Sequence, residues 1–278
     1  MSSTIVVVVL LAGLAHAVWN AMVKSIADQA TSFALMNVAI TVLSWAVVPW
    51  VGVPRSQAWP YLLSSVVCHV GYEMFLMGSY QRADFSRAYP IARGVAPLLV
   101  SIAGLLVANE HLGYVGAAGI VAVVVGVTSL SYLRSPSRLD RIGVYWALAT
   151  GVAIATYSVV DGLGVRASHD TLRYASSLFA LQASIWVIAV IVRRGPRIST
   201  DPKVIGVGLA AGTLSLVAYT AILYAQAHAP LGIVSALRET GVVWASLIGI
   251  FVFKEGRART ILMPAVVVAG GIILLSAG

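Results

Sequence analysis

Long apolar runs alternate with short polar breaks from one end of the chain to the other, and ten of the runs approach or exceed the twenty or so residues a helix needs to cross a bilayer. They predict membrane-spanning helices at about 4–24, 31–51, 58–80, 86–108, 112–133, 142–164, 171–192, 203–226, 231–253 and 259–277. The breaks carry turn signals such as Gly52-Val53-Pro54, Arg134-Ser135-Pro136, Arg194-Gly195-Pro196 and Pro230-Leu231-Gly232. None is long enough for a soluble domain. The longest, near 134–141 and 193–202, follow spans five and seven, and the first of them divides the chain into two sets of five.

The two sets repeat one another. Arg93, Ser101, Gly104, Val107, Glu110, Val121, Val123, Gly126, Leu130 and Ser131 recur as Arg238, Ser246, Gly249, Val252, Glu255, Val266, Val268, Gly271, Leu275 and Ser276, all at an offset of 145 without a gap. At an offset of 138, Gly13, Ala15 and Ala17 recur as Gly151, Ala153 and Ala155, which sets Trp19 and Asn20 opposite Tyr157 and Ser158. Five is odd, so two copies of a five-helix unit enter the membrane in opposite senses. The expected architecture is an all-α membrane protein of ten transmembrane helices, built as two inverted five-helix repeats, 1–133 and 142–278, around a central cavity.

Composition agrees: 59% of residues are hydrophobic and 10% charged, too few charges for an ordinary soluble surface. The net charge of +8 is a topology signal and does not point to nucleic acid. With Arg93 and Arg238 set aside, every basic residue except Arg55, Arg166 and Arg173 lies in or beside an odd-numbered loop. The positive-inside rule therefore predicts cytoplasmic odd loops and both termini outside. Residues 5–17 imitate a signal peptide with an Ala15-His16-Ala17 cleavage site, but no basic residue precedes the run and the segment has its own repeat partner, so it is expected to remain as the first helix. The single cysteine, Cys68, excludes an internal disulfide or a cysteine-based metal cluster and is expected to fill space in the core.

Arg93 and Arg238 are the residues richest in chemistry. A guanidinium at the centre of a membrane helix costs about 2.5 to 3.5 kcal/mol on insertion scales, so two at matched depth imply a polar interior between the halves. The competing reading is that each snorkels toward an interface or bonds a backbone carbonyl. In span three, His69 and Glu73 are four residues apart and share a face with Cys68 and Tyr72 beside them, a candidate proton carrier or a fixed ion pair with one of the arginines. In span one, His16, Trp19 and Asn20 share a face. Arg238 and Glu239 are adjacent and diverge by about 100°, so each must seek partners on other helices. A zwitterionic substrate would then meet Arg93 or Arg238 at its carboxylate and Glu73 or Glu239 at its ammonium, with Trp19, Tyr89, Tyr157 or Trp244 against its side chain.

Gly208-x-x-x-Gly212 and Ala122-x-x-x-Gly126 predict close helix contact, and Pro90, Pro97 and Pro264 predict kinks. Asp161 and Asp170 straddle one loop and are read as solvated helix ends. The sequence has no His-Glu-x-x-His zinc motif, no Gly-x-Ser-x-Gly elbow, no paired-Asp prenyl diphosphate motif and no Walker-type loop, so no enzyme, cofactor, metal or direct ATP hydrolysis is expected. A carrier driven by a gradient or by exchange is the leading reading, with a channel or lipid flippase as the alternative, and inverted halves within one chain make a monomer sufficient.

Several of these motifs resemble the drug/metabolite transporter superfamily, specifically its EamA-type ten-helix proteins. The resemblance rests on the two five-helix repeats, on Trp19-Asn20 followed by Lys24, on Tyr89-Pro90-Ile91-Ala92-Arg93-Gly94-Val95-Ala96-Pro97, and on the acidic turns Asn109-Glu110-His111 and Lys254-Glu255-Gly256. The family's usual turn is Gly-Glu, and both turns here lack that glycine. The resemblance implies a small-molecule exporter of the bacterial inner membrane, for amino acids or related metabolites, with aromatic amino-acid exporters of the YddG type among its members. It also extends to drug exporters, leaves room for protons as partners, and implies cytoplasmic termini, against the charge bias.

Overall fold

The computed structural model of the chain describes residues 2–26, 29–82, 85–111, 113–132, 141–194, 201–252, 254 and 259–277. Its elements are α1 (Ser3–Lys24), α2 (Gln29–Val51), α3 (Trp59–Arg82), α4 (Phe85–Val107), α5 (Tyr114–Tyr132), α6 (Arg141–Ser168), α7 (Thr171–Arg194), α8 (Pro202–His228), α9 (Leu231–Arg238), α10 (Gly241–Phe251) and α11 (Arg259–Ala277), with a 3-10 turn at Ser56–Ala58. Helices are the required outcome for chain in hydrocarbon, because each satisfies its backbone hydrogen bonds within itself. The usual arrangement of a soluble core is reversed. Trp50, Val67, Leu106, Val192 and Met263 are exposed, while Ser65, His69, Asp161, Gln226 and Glu239 are buried. The molecule is a multi-pass integral membrane protein.

Nine of the ten runs become single helices, and the ninth does not. The expected span 231–253 is two helices, α9 and α10, interrupted at Glu239 and Thr240. At the break the backbone tightens to i→i−3 bonds: Glu239 N donates to Ala236 O at 3.1 Å and Thr240 N to Leu237 O at 3.1 Å. The Thr240 hydroxyl adds a bond to the same Leu237 carbonyl at 2.6 Å. Interrupted backbone persists at membrane depth only where protein covers it. Here α1 supplies the cover, because a Cβ on Gly241 would lie 3.1 Å from Gly13 O. Helix α1 packs along α8, α9 and α10, so the signal-like segment is part of the bundle.

The inverted repeat is visible in reciprocal contacts between α5 and α11. A Cβ on Gly126 would lie 2.6 Å from Val268 Cγ2, and a Cβ on Gly271 would lie 2.7 Å from Val123 Cγ2. These are the same contact with the halves exchanged, since both pairs differ by 145, which is the signature of a two-fold axis. The helices run antiparallel: Gly119 meets Gly271 and Leu275, whereas Gly126, further along α5, meets Pro264 and Val268, earlier in α11. The pairing of α3 with α6 likewise matches that of α8 with α1. The small-residue motif in α8 acts as expected. A Cβ on Gly208 would lie 2.6 Å from Leu35 Cβ and one on Gly212 2.5 Å from Met36 O, so α2 and α8 meet nearly backbone to backbone.

The two turns that lack the family's glycine still adopt the conformation glycine favours. Asn109 and Lys254, again 145 apart, have φ of 51° and 55°. An L-residue in the left-handed region costs about 1 to 2 kcal/mol, least for Asn, so the strain falls mainly on Lys254. Lys254→Gly is expected to raise stability by about 1 kcal/mol and Lys254→Val to lower it, as read by thermal unfolding in detergent.

Candidate functional site

Helices α1, α4, α6 and α9 converge where the halves meet, and the charged residues converge with them. Arg93 Nη1 donates to Glu239 Oε1 at 3.0 Å and to Oε2 at 3.2 Å. Arg93 Nη2 lies 3.1 Å from His16 Nε2; a guanidinium only donates, so that ring nitrogen accepts. Arg93 therefore does not snorkel. Its side chain is 11% exposed and that of Glu239 1%, and the carboxylate ties α4 of the first half to the break in the ninth span.

Arg238 has a different setting. Its Nη2 is 3.6 Å from Glu239 Oε1, an ion pair beyond hydrogen-bond length. Its Nε and Nη2 are both buried without a hydrogen-bond partner among the described residues, although the side chain is 9% exposed. Nε and Nη2 form one edge of the guanidinium fork, the edge that receives a carboxylate side-on. The Tyr157 ring lies 5.9 Å from the Arg238 guanidinium carbon, so an aromatic wall stands beside the unused edge. Two guanidinium groups lean on the Glu239 carboxylate.

An aromatic cluster adjoins it. His69 lies 4.2 Å from Tyr157 between ring centroids and 5.8 Å from Tyr219, and Tyr72 lies 5.4 Å from Tyr157. The Trp19 ring meets His16 edge-on at 5.0 Å, and its indole Nε1 is buried without a partner. Trp19 also packs against the apolar cluster of α2, α7 and α8, so it closes one side of the centre. Cys68 packs beside Ala96, Ile154 and Tyr157 as a small apolar filler.

The structure thus brings together His16, Trp19, His69, Tyr72, Arg93, Tyr157, Arg238 and Glu239. Asn20 is turned away: its amide donates to His16 O at 2.7 Å on the same helix and is exposed. Trp244 is exposed on α10 and stands in none of these ring contacts. The side chains of Glu73 and Tyr89 lie outside the described residues.

Asp161 corrects the reading from sequence. It is no solvated end but is 0% exposed inside α6, which runs one turn beyond the expected limit. It accepts a hydrogen bond from Ser65 Oγ, one from Tyr219 Oη at 2.6 Å and one from Tyr174 Oη at 3.2 Å, with His69 Nε2 at 3.7 Å. Hydroxyl donors from three other helices replace the water a terminal carboxylate would have. Asp170 does lie at a helix start, half-exposed, where it caps the Arg173 backbone N–H.

In sequence Glu110 stands out only as a repeat position and part of an acidic turn, yet it fastens the halves together. Both its oxygens accept from Leu231 N, at 3.0 and 2.8 Å, at the start of α9, where the helix dipole favours an anion. Arg166 completes the fastening, with Nη2 2.7 Å from Glu110 Oε1 and 2.8 Å from Ala229 O and Nε 2.9 Å from Gln226 O. The repeat partner Glu255 lies outside the described residues.

Comparison with known proteins places this geometry. Residues 141–277 match the model of the EamA-like transporter family. This half of the chain is similar to an EamA-like transporter domain. Such a domain implies a membrane transporter of the drug/metabolite transporter superfamily. A solved structure described as "Crystal structure of protein" is similar over 99% of this chain and 96% of that chain, with a TM-score of 0.78 at 16% identity, a likeness of fold alone. No curated protein sequence matches the chain. The EamA-like half supplies Tyr157, Asp161, Tyr219, Arg238 and Glu239, and the preceding half supplies His16, Trp19, His69, Tyr72 and Arg93.

Proposed function

We propose that the chain is a secondary active transporter that exports amino acids, aromatic ones among them, or related small carboxylate-bearing metabolites by alternating access of its two halves across a bacterial inner membrane. One observation carries the reading: the side-on edge of Arg238 is buried at the meeting of the halves, and among the described residues no group accepts a hydrogen bond from it. A guanidinium edge left open in a low-dielectric site is strongly disfavoured unless a ligand completes it, and a carboxylate completes it with two parallel bonds. Glu239, adjacent to the same edge, supplies negative charge for an ammonium group, and the rings of Tyr157, Tyr72 and His69 supply flat apolar surface for an aromatic side chain.

Alternating access in this reading works by rocking of one half against the other. The Arg93–Glu239 pair and the Glu110–Arg166 fastening both cross between halves or between helix ends, and they are the contacts such rocking would make and break. Reconstitution into liposomes with a panel of labelled amino acids, with and without a pH gradient, tests the reading. Flux of at least one aromatic or aliphatic amino acid is expected to saturate and to show counterflow. Flux that rises linearly with concentration would indicate a channel, and no flux of any member would remove the amino-acid assignment.

A further inference from the structure

The buried carboxylate of Asp161 faces a ring nitrogen that lacks a proton. His69 Nδ1 lies 3.0 Å from the backbone carbonyl of Ser65, which can only accept, and 3.1 Å from Ser65 Oγ, whose hydrogen goes to Asp161, so the hydrogen is assigned to Nδ1. The neutral ring then presents a bare lone pair at Nε2, and Nε2 points at Asp161 Oδ2 from 3.7 Å. Nε2 and the carboxylate oxygen thus face one another at a separation too long for a hydrogen bond. A proton arriving at Nε2 turns this into a charge-assisted pair, and the three hydroxyl bonds from Ser65, Tyr174 and Tyr219 hold the carboxylate ready for it.

We propose that His69 Nε2 and Asp161 Oδ2 form a proton-binding site inside the membrane, coupled to the carboxylate site on Arg238. The groups that set its charge are Asp161 and Tyr157 from α6, Tyr174 from α7, Tyr219 from α8, Arg238 from α9, and Cys68 and Tyr72 on α3 itself. His69 and Arg238 both contact the Tyr157 ring, so the proton adds positive charge beside a positive site. A substrate carboxylate on Arg238 offsets that repulsion. Proton and carboxylate therefore favour each other, and linkage makes the effect equal in both directions. The sign means that proton and substrate travel together, so the gradient of either one drives the other in the same direction.

The coupling rests on the carboxylate reading of Arg238, whereas the proton site does not, and the test separates them. Full-length protein in nanodiscs, labelled with nitrogen-15 at histidine, is titrated between pH 5 and 9 by NMR, with His69→Gln to assign the signal. His69 is expected to change from the Nδ1–H tautomer to the doubly protonated ring, and Asp161→Asn is expected to keep it neutral to lower pH. L-Phenylalanine is expected to bind on the order of tenfold more tightly at pH 6 than at pH 8 in the unaltered protein, with no such slope in His69→Gln. A His69 that stays neutral throughout, or a pH slope that survives His69→Gln, overturns the proposal. A His69 that titrates with Asp161 while none of the panel of amino acids binds upholds the proton site and removes the carboxylate reading instead.

Discussion

Arg238→Gln is expected to abolish saturable amino-acid transport while leaving the purified protein almost as stable as before. The expected loss follows from the two bonds it removes: truncating one partner of a buried charged contact costs about 2 to 5 kcal/mol of binding, or roughly thirtyfold or more in affinity. The expected tolerance follows from the same observation that nominated the residue. Among the described residues no group accepts a hydrogen bond from Arg238 Nε or Nη2, so their removal breaks none of the described hydrogen bonds of the fold. Arg238→Lys keeps the charge but not the fork and is expected to recover only part of the affinity. Equilibrium binding and thermal unfolding on the same preparations check both halves of the expectation. Unaltered binding by Arg238→Gln would remove the site, and collapse of the fold would show that the guanidinium is a tie and not an open edge.

Glu239→Gln is expected to do the opposite, with its largest effect on stability. The Glu239 carboxylate is buried against Arg93, and Arg238 lies 3.6 Å away, so neutralising it removes the carboxylate that both guanidinium groups face. Breaking a buried pair by removing one partner costs about 3 to 5 kcal/mol. The destabilisation should appear as a large fall in thermal stability in detergent and as loss of transport. Combining Glu239→Gln with Arg93→Met is expected to recover much of the stability, because the stranded charge goes with its partner, while transport stays low. Wild-type stability in Glu239→Gln alone would mean that the pair is not what joins α4 to the broken span.

These opposite expectations attach to arginines that the repeat makes equivalent. Residue 94, the counterpart of Glu239, is a glycine, so the acid exists in one half only. An intact two-fold would have paired both arginines and left nothing for a ligand. The departure from symmetry thus creates the open edge, and it lies in the stretch where the ninth span stops being a continuous helix.

How much of this was legible in the sequence depended on whether the signal was local or distant. Helix limits were legible to within about two residues at most ends, because hydrocarbon thickness and turn residues fix them locally, and α6 ran four residues further. The matched arginines and the Gly208/Gly212 motif were legible because repetition and spacing are written along the chain. Asp161 was misread because its position near the turn at His169 and Asp170 suggested water, whereas its actual partners come from α3, α7 and α8. Its apolar neighbours Val159, Val160, Leu163 and Val165, and the unexplained tyrosines Tyr174 and Tyr219 in apolar runs, were the available warning. The break in the ninth span was hidden for a related reason. No Pro or Gly precedes Glu239 within that half-span except Gly232, and the interruption is held by i→i−3 bonds and by the approach of α1, a contact between residues more than 200 positions apart.

The most direct test of the central claim is an experimental structure with a bound amino acid. The account predicts a carboxylate about 3 Å from both Nε and Nη2 of Arg238, with the side chain against Tyr157, while Arg93 stays on Glu239. A bound carboxylate held elsewhere, with the Arg238 edge closed by a protein group or turned toward lipid, would contradict it.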